Sequence, residues 1–171
     1  MTVSLSNALR KTHLASFFRS KRCLLQIIAD LDENNQAYLL GFVYCSQLRE
    51  ARQVRFYVDT GSTVTTLLDI DVVRLGLKWQ GLEQTKCDTA AGVIYPYILP
   101  RVTVFLKNIV DSKVILNAYP LKTIHLIPPE DPTKIVPIQY EFCFSLLGMD
   151  VLEKFSDLKF NFKEKKMYLI T

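Results

Sequence analysis

The sequence predicts an all-β domain: a small closed sheet accompanied by one or two short helices. Three observations carry this. From about residue 24 onward, short apolar and β-branched runs recur, several alternating strictly, each bounded by turn residues. In that stretch only two short helices are expected, near residues 69–75 from its cap and end residues and near 149–155 from its apolar spacing. The composition, 49% hydrophobic and 22% charged over 171 residues, can fill one core and excludes a largely disordered or low-complexity chain.

The elements follow in order. Leu24 to Leu31 is rich in Leu and Ile and stops at the turn cluster Asp32-Glu33-Asn34-Asn35. Ala37 to Cys45 is a second apolar and aromatic run, expected to pair with the first as a hairpin. Gln53 to Val58 sets Val54, Phe56 and Val58 on one face. A short helix over Asp69–Leu75 is expected next, capped by Asp69, favoured by Asp71 in its first turn and ended by Gly76. Thr89-Ala90-Ala91-Gly92 reads as a turn between strands. Val102, Val104 and Leu106 alternate, and Val114 to Leu126 gives one or two more strands. Pro128, Pro129, Pro132 and Pro137 mark a long loop. Phe142 to Leu147 is a buried strand ending at Gly148. A second helix then carries Met149, Val151, Leu152 and Phe155. The alternating run from Leu158 turns at Lys163-Glu164-Lys165 and returns through Met167 to Ile170.

The net charge of +4 is too small to predict nucleic-acid binding. Its distribution is uneven: residues 1–29 contain Arg10, Lys11, Arg19, Lys21 and Arg22 but no acid. With Leu9, Leu14, Phe17 and Phe18, this stretch has the pattern of a basic amphipathic segment for a membrane surface or of a transit peptide. An extension packed on the domain or its partner fits as well, and is favoured because no cleavage signature follows. The expected division is 1–35 for the basic extension and first strand, and 36–171 for the main domain, with an insertion at 117–142. Cysteines 23, 45, 87 and 143 form no C-x-x-C pair, so zinc spacing is missing and buried free thiols are expected, in a cytoplasmic setting. The apolar runs are too short for membrane-spanning helices.

Chemistry is concentrated at Asp59-Thr60-Gly61-Ser62. On its own the tetrapeptide has a plain alternative, a tight turn, where Asp and Gly are common. Its context argues for more. Phe56-Tyr57-Val58 delivers the carboxylate from the end of a buried strand, where an unsatisfied charge is costly. Gly61 lets backbone approach that carboxylate, and Thr60 and Ser62 offer hydroxyls. About ninety residues later, Leu146-Leu147-Gly148 closes an apolar run just before a helix and an alternating hairpin.

Together these blocks resemble the retropepsin-like aspartic peptidases, the retroviral-type proteases and their cellular relatives, over roughly residues 37–171. The resemblance implies the closed acid-protease half barrel, active as a homodimer. It makes Asp59 the catalytic carboxylate of an aspartic endopeptidase. Thr60 would brace the two loops across the dimer axis. Gly61 and Ser62 would shape the loop, with the Ser62 hydroxyl facing the outer oxygen of Asp59. Leu147 and Gly148 would pack beside it, and Thr89, Ala90, Ala91 and Gly92 would form a flap over a peptide substrate. The chain carries one such motif, so the second carboxylate would come from a second copy, and the resemblance implies neither metal nor cofactor. Asp69, Asp71, Asp88 and Asp150 read as caps or surface charges.

Thr63 stands where retroviral enzymes usually carry an acid, and Met149 where they carry an arginine, so that interface ion pair cannot form here. The alternatives are a catalytically silent peptide-binding or assembly module of the same fold, and a basic membrane- or nucleic-acid-associated protein driven by residues 1–29.

Overall fold

The computed structural model describes residues 26–89, 92–110, 113–130 and 144–171. Eleven strands and two short helices are described. β1 is Gln26–Leu31, β2 Ala37–Tyr44, β3 Arg52–Val58 and β4 Thr66–Leu67, followed by helix α1 at Asp69–Arg74. β5 (Cys87–Thr89) and β6 (Gly92–Ile94) make a separate small hairpin. β7 (Tyr97–Val110) and β8 (Lys113–Leu126) form a long antiparallel ribbon. β9 is Ser145–Leu147, α2 Met149–Leu152, β10 Asp157–Asn161 and β11 Lys166–Ile170.

The large sheet runs β10-β11-β1-β2-β3-β9-β4-β8-β7, and β7 also pairs with β2. That last pairing, Gly41↔Leu106 through Tyr44↔Thr103, closes β2, β3, β9, β4, β8 and β7 into a six-stranded barrel. β2 serves two neighbours on one edge. Its first residues pair with β1 and its last with β7. β1 in turn carries the C-terminal hairpin β10–β11. The expected all-β closed sheet with two short helices is thus the observed architecture.

Alternation decides which side chains enter the barrel. β2 reads buried at Ala37, Leu39, Gly41 and Val43, with the intervening residues at least partly exposed. β7 does the same with Val102, Val104 and Leu106. These meet Val54 and Phe56 of β3, Ile124 and Leu126 of β8, and Leu147 of β9 in one continuous core.

Several details differ from the sequence reading. β7 begins at Tyr97, well before Val102, because its first residues pair with the end of β8. Val114 to Leu126, read as one or two strands, lies in the single strand β8, which pairs with β7. α1 starts from Leu68, which makes no side-chain cap; Asp69 lies one residue inside and accepts from the Ile70 N–H at 2.8 Å. α2 stops at Leu152, shorter than expected. Among the thiols, Cys45 is buried but Cys87 is only half-buried, on the β5–β6 hairpin. Cys23, Cys143, Ala90, Ala91, most of the basic segment and the Pro132–Pro137 stretch lie outside the described residues.

Candidate active site

Asp59 follows β3 directly, and its position is set from two sides. β3 runs parallel to β9, pairing Phe56↔Ser145, Tyr57↔Leu146 and Val58↔Leu147. The ladder continues one step, with the Asp59 N–H donating to the Leu147 carbonyl at 3.0 Å. β9 is itself wedged between β3 and β4. The carboxylate therefore leaves a strand held at the centre of the sheet, and it remains half-exposed.

The loop then turns back on this carboxylate. The Gly61 N–H donates to Asp59 Oδ1 at 2.9 Å, and the Ser62 N–H to the Asp59 carbonyl at 3.3 Å. A Cβ on residue 61 would stand 3.2 Å from Oδ1, tighter than ordinary contact, so glycine suits the close approach. Ser62 departs from the expectation: its hydroxyl donates to the Val64 carbonyl at 2.8 Å and stiffens the loop instead of facing Asp59. Thr60 is exposed at the tip. Among the described residues no cation pairs with Asp59.

Gly148 sits under the loop in direct backbone contact. A Cβ there would fall 2.6 Å from the Val64 carbonyl carbon and 2.7 Å from the Thr65 nitrogen. No side chain fits that gap, which accounts for the apolar-apolar-glycine block. The Gly148 N–H donates to Thr65 Oγ1 at 3.1 Å, and that hydroxyl donates to Asp150 Oδ1 at 2.6 Å. The Thr65 N–H reaches both Asp150 oxygens at 3.1 Å. The Met149 and Asp150 N–H groups donate to the carbonyls of Ser62 and Thr63 at 2.8 and 3.2 Å. The two positions that lack an ion pair are thus adjacent through backbone: Met149 to Ser62, and Asp150 to Thr63.

Asp150 is therefore a brace of the Asp59 loop and not a surface charge. Asp71 needs the same correction. It is buried, accepts from Ser145 Oγ at 2.6 Å, and pairs with Arg74 at 2.5 Å. Arg74 also donates to the Gln53 carbonyl at 2.6 Å, tying α1 to the start of β3. No local signal announces these partners, because Thr65 and Asp150 lie 85 positions apart and Asp71 and Ser145 lie 74. The one available hint is the hydroxyl embedded in each apolar run, since a buried hydroxyl needs a partner.

An open cleft of about 320 Å³ lies against Asp59 and Thr60. Its apolar walls are Val58, Leu146, Phe160 and Met167, and its polar lip is Asn35 and Gln36 from the β1–β2 turn. Asp32 shapes that turn by accepting from the Asn34 and Gln36 N–H groups at 2.8 and 2.9 Å, and from the Tyr57 hydroxyl at 3.1 Å. Burial first, and the Asp32 bond second, hold the Tyr57 phenol above the usual tyrosine range. Phe144 stacks on Tyr57 at 3.9 Å, with the Arg55 guanidinium 5.3 Å from the Phe144 ring. Sequence reasoning gave this cluster no role.

Thr89 and Gly92 close the β5–β6 hairpin, with Thr89 Oγ1 donating to the Gly92 carbonyl at 2.7 Å. His125 lies behind the loop, its N–H donating to the Thr65 carbonyl at 3.0 Å. Desolvation lowers its pKa from the ordinary 6.5, and the Asp150 charge opposes that shift. Among the described residues no cluster of His, Cys, Asp or Glu could hold a metal ion, and no helix is long and apolar enough to cross a membrane.

No family model and no curated protein matches the sequence. Among solved structures, the chain is similar to a retropepsin-like aspartic protease from Rickettsia conorii. The identity is 20%, the match covers 86% of this chain and 91% of that one, and the TM-score is 0.54. The retropepsin-like fold rests on that likeness and on the barrel described above.

Proposed function

We propose that this chain is one half of an aspartic endopeptidase, with Asp59 of two copies forming the catalytic pair. One observation carries the reading. Asp59 is a carboxylate at the end of a strand paired on both sides, held by the Gly61 N–H, without a cation among the described residues, and it opens on a cleft large enough for a peptide side chain. Rigid placement without neutralisation suits a group that acts on a substrate.

A second copy supplies what one chain lacks, since two-fold symmetry places identical residues across an axis. Two carboxylates about 3 Å apart do not both ionise readily and share a proton, as aspartic proteases in general do. The ionised Asp59 takes a proton from a water as that water attacks the peptide carbonyl. The protonated Asp59 of the other copy donates to the carbonyl oxygen, giving a tetrahedral diol. Proton transfer to the amide nitrogen then lets the C–N bond break and the amine leave. Thr60, exposed beside Asp59, is assigned the brace between the two loops, and the β5–β6 hairpin the flap. The apolar walls of the cleft favour an apolar side chain next to the cut.

The test is cleavage of an unfolded protein by wild type and by Asp59→Asn. Loss of all turnover in the variant, with unchanged folding, is expected. Equal cleavage by both would remove the proposal and leave a peptide-binding module of the same fold.

A further inference from the structure

β8 is paired on one side only for most of its length. β7 lies along one edge from Lys113 to Leu126, whereas β4 meets the other edge only at His125 and Leu126. Among the described residues no strand lies beside the rest of that second edge. Alternation sets Val114, Leu116, Ala118 and Pro120 on one face of β8, and all four are exposed, Val114 by 60% and Leu116 by 49%. An apolar row along an open edge marks a contact.

Charge sets the kind of partner. The row is bracketed by Lys113 and Lys122. The two fourteen-residue strands β7 and β8 also carry Arg101 and Lys107, and neither Asp nor Glu. These four cations are exposed, and among the described residues none is paired with an acid. The row ends at an open cleft of about 340 Å³ lined by Pro120 and Lys122 of β8, Val64, and Asp150, Glu153 and Lys154. Its two acids are already engaged, Asp150 by Thr65 and Glu153 by Lys154.

We propose that the open edge of β8 is a docking site for an extended polypeptide segment, apolar at alternate positions and acidic at its ends, which joins the sheet as a further strand. Main-chain hydrogen bonds hold the segment, its apolar side chains cover Val114 and Leu116, and its acids meet Lys113 and Lys122. Two alternatives fit less well. A second copy paired antiparallel along this edge sets lysine against lysine, which is repulsive. A lipid surface covers the apolar row but brings no donors and acceptors for the edge amides and carbonyls. The site stands apart from the Asp59 cleft and does not depend on the paired-carboxylate reading.

The probe is a labelled eleven-residue peptide that alternates valine and threonine and carries two glutamates at each end. Binding is read by fluorescence anisotropy on the Asp59→Asn chain, so that cleavage, present or absent, does not enter the result. That chain should bind the peptide saturably. Adding Lys113→Glu with Lys122→Glu should raise Kd by about tenfold or more with Tm unchanged, both side chains being exposed. Lys113→Gln with Lys122→Gln should raise it less, and serves if the charge-reversed chain misfolds. Serine in place of the valines should weaken binding at the same peptide charge. N-methylation of one alternate set of peptide amides should abolish binding, and of the other set should not, because only one set faces β8. No saturable binding, a Kd unmoved by either lysine pair, or equal binding of the valine and serine peptides would overturn the proposal. Binding of anionic phospholipid vesicles without binding of the peptide would overturn it in favour of a lipid surface.

Discussion

The two helices begin in nearly the same way, and the difference between them separates scaffold from the support of the Asp59 loop. At α1, the Leu68 N–H donates to Ser145 Oγ at 3.2 Å and that hydroxyl donates to Asp71. At α2, the Gly148 N–H donates to Thr65 Oγ1 and that hydroxyl donates to Asp150. In each case a hydroxyl from a crossing segment links the residue before a helix to a carboxylate in its first turn. The α1 clamp is buried and neutralised by Arg74. Among the described residues no cation binds Asp150 in the α2 clamp, and its hydrogen bonds come from Thr65, which leads directly from the Asp59 loop. One clamp fixes the helix to the sheet. The other fixes the loop that carries Asp59.

The comparison can be broken at several points. Gly148→Ala should have the largest effect, because its Cβ would meet the backbone of Val64 and Thr65. We expect a loss of about 3 kcal/mol in denaturant unfolding, together with loss of cleavage. Asp71→Ala leaves Ser145 and Arg74 without their acceptor and should cost about 2 to 3 kcal/mol, Arg74 being partly exposed. If that clamp is scaffold only, turnover by the folded fraction should match wild type. Asp150→Ala should cost about 1 to 2 kcal/mol but lower turnover by the folded fraction, since the Thr65 N–H and hydroxyl lose their acceptor beside the loop. Equal kinetic effects from Asp71→Ala and Asp150→Ala would erase the distinction.

The smallest expected effect is on pH dependence, and it sharpens the comparison. The folded-state pKa of His125 is lowered from 6.5 mainly by desolvation. As pH falls, the unfolded chain therefore takes up the proton first. The contribution of His125 to stability is complete above about pH 6.5 and is lost as pH falls through its lower folded value. His125→Gln should flatten that part of the stability profile. Asp150→Asn should widen the loss, because the charge that opposes the shift is gone. A profile in Asp150→Asn identical to wild type would show that His125 does not sense this clamp.

The barrel was legible because its strands alternate one residue in, one out, and because Asp32–Asn35 and Lys163–Lys165 are turns by composition. The Asp59 loop was legible through Asp59 and Gly61, and the block beneath it through Gly148, since the close approaches there leave no room for a side chain on either glycine. The clamps were not. Asp71 and Asp150 look like surface carboxylates until Ser145 and Thr65 arrive from far along the chain. Ser62 misled for a related reason: the Val64 carbonyl, two residues on, competes for its hydroxyl. The Asp32–Tyr57–Phe144 cluster was hidden in the same way, because it draws on three separated segments.

The wedging of β9 between β3 and β4 also governs timing. Asp59 is synthesised before the Leu147 carbonyl it leans on and before Gly148 and Asp150, which brace its loop. Contacts of such long sequence separation form late and slowly. A nascent chain on the ribosome carries this carboxylate through the synthesis of residues 60–146 without the frame that fixes it. A fragment released before residue 150 would hold Asp59 on an unbraced loop, so the order of translation delays the site that the proposed reading requires.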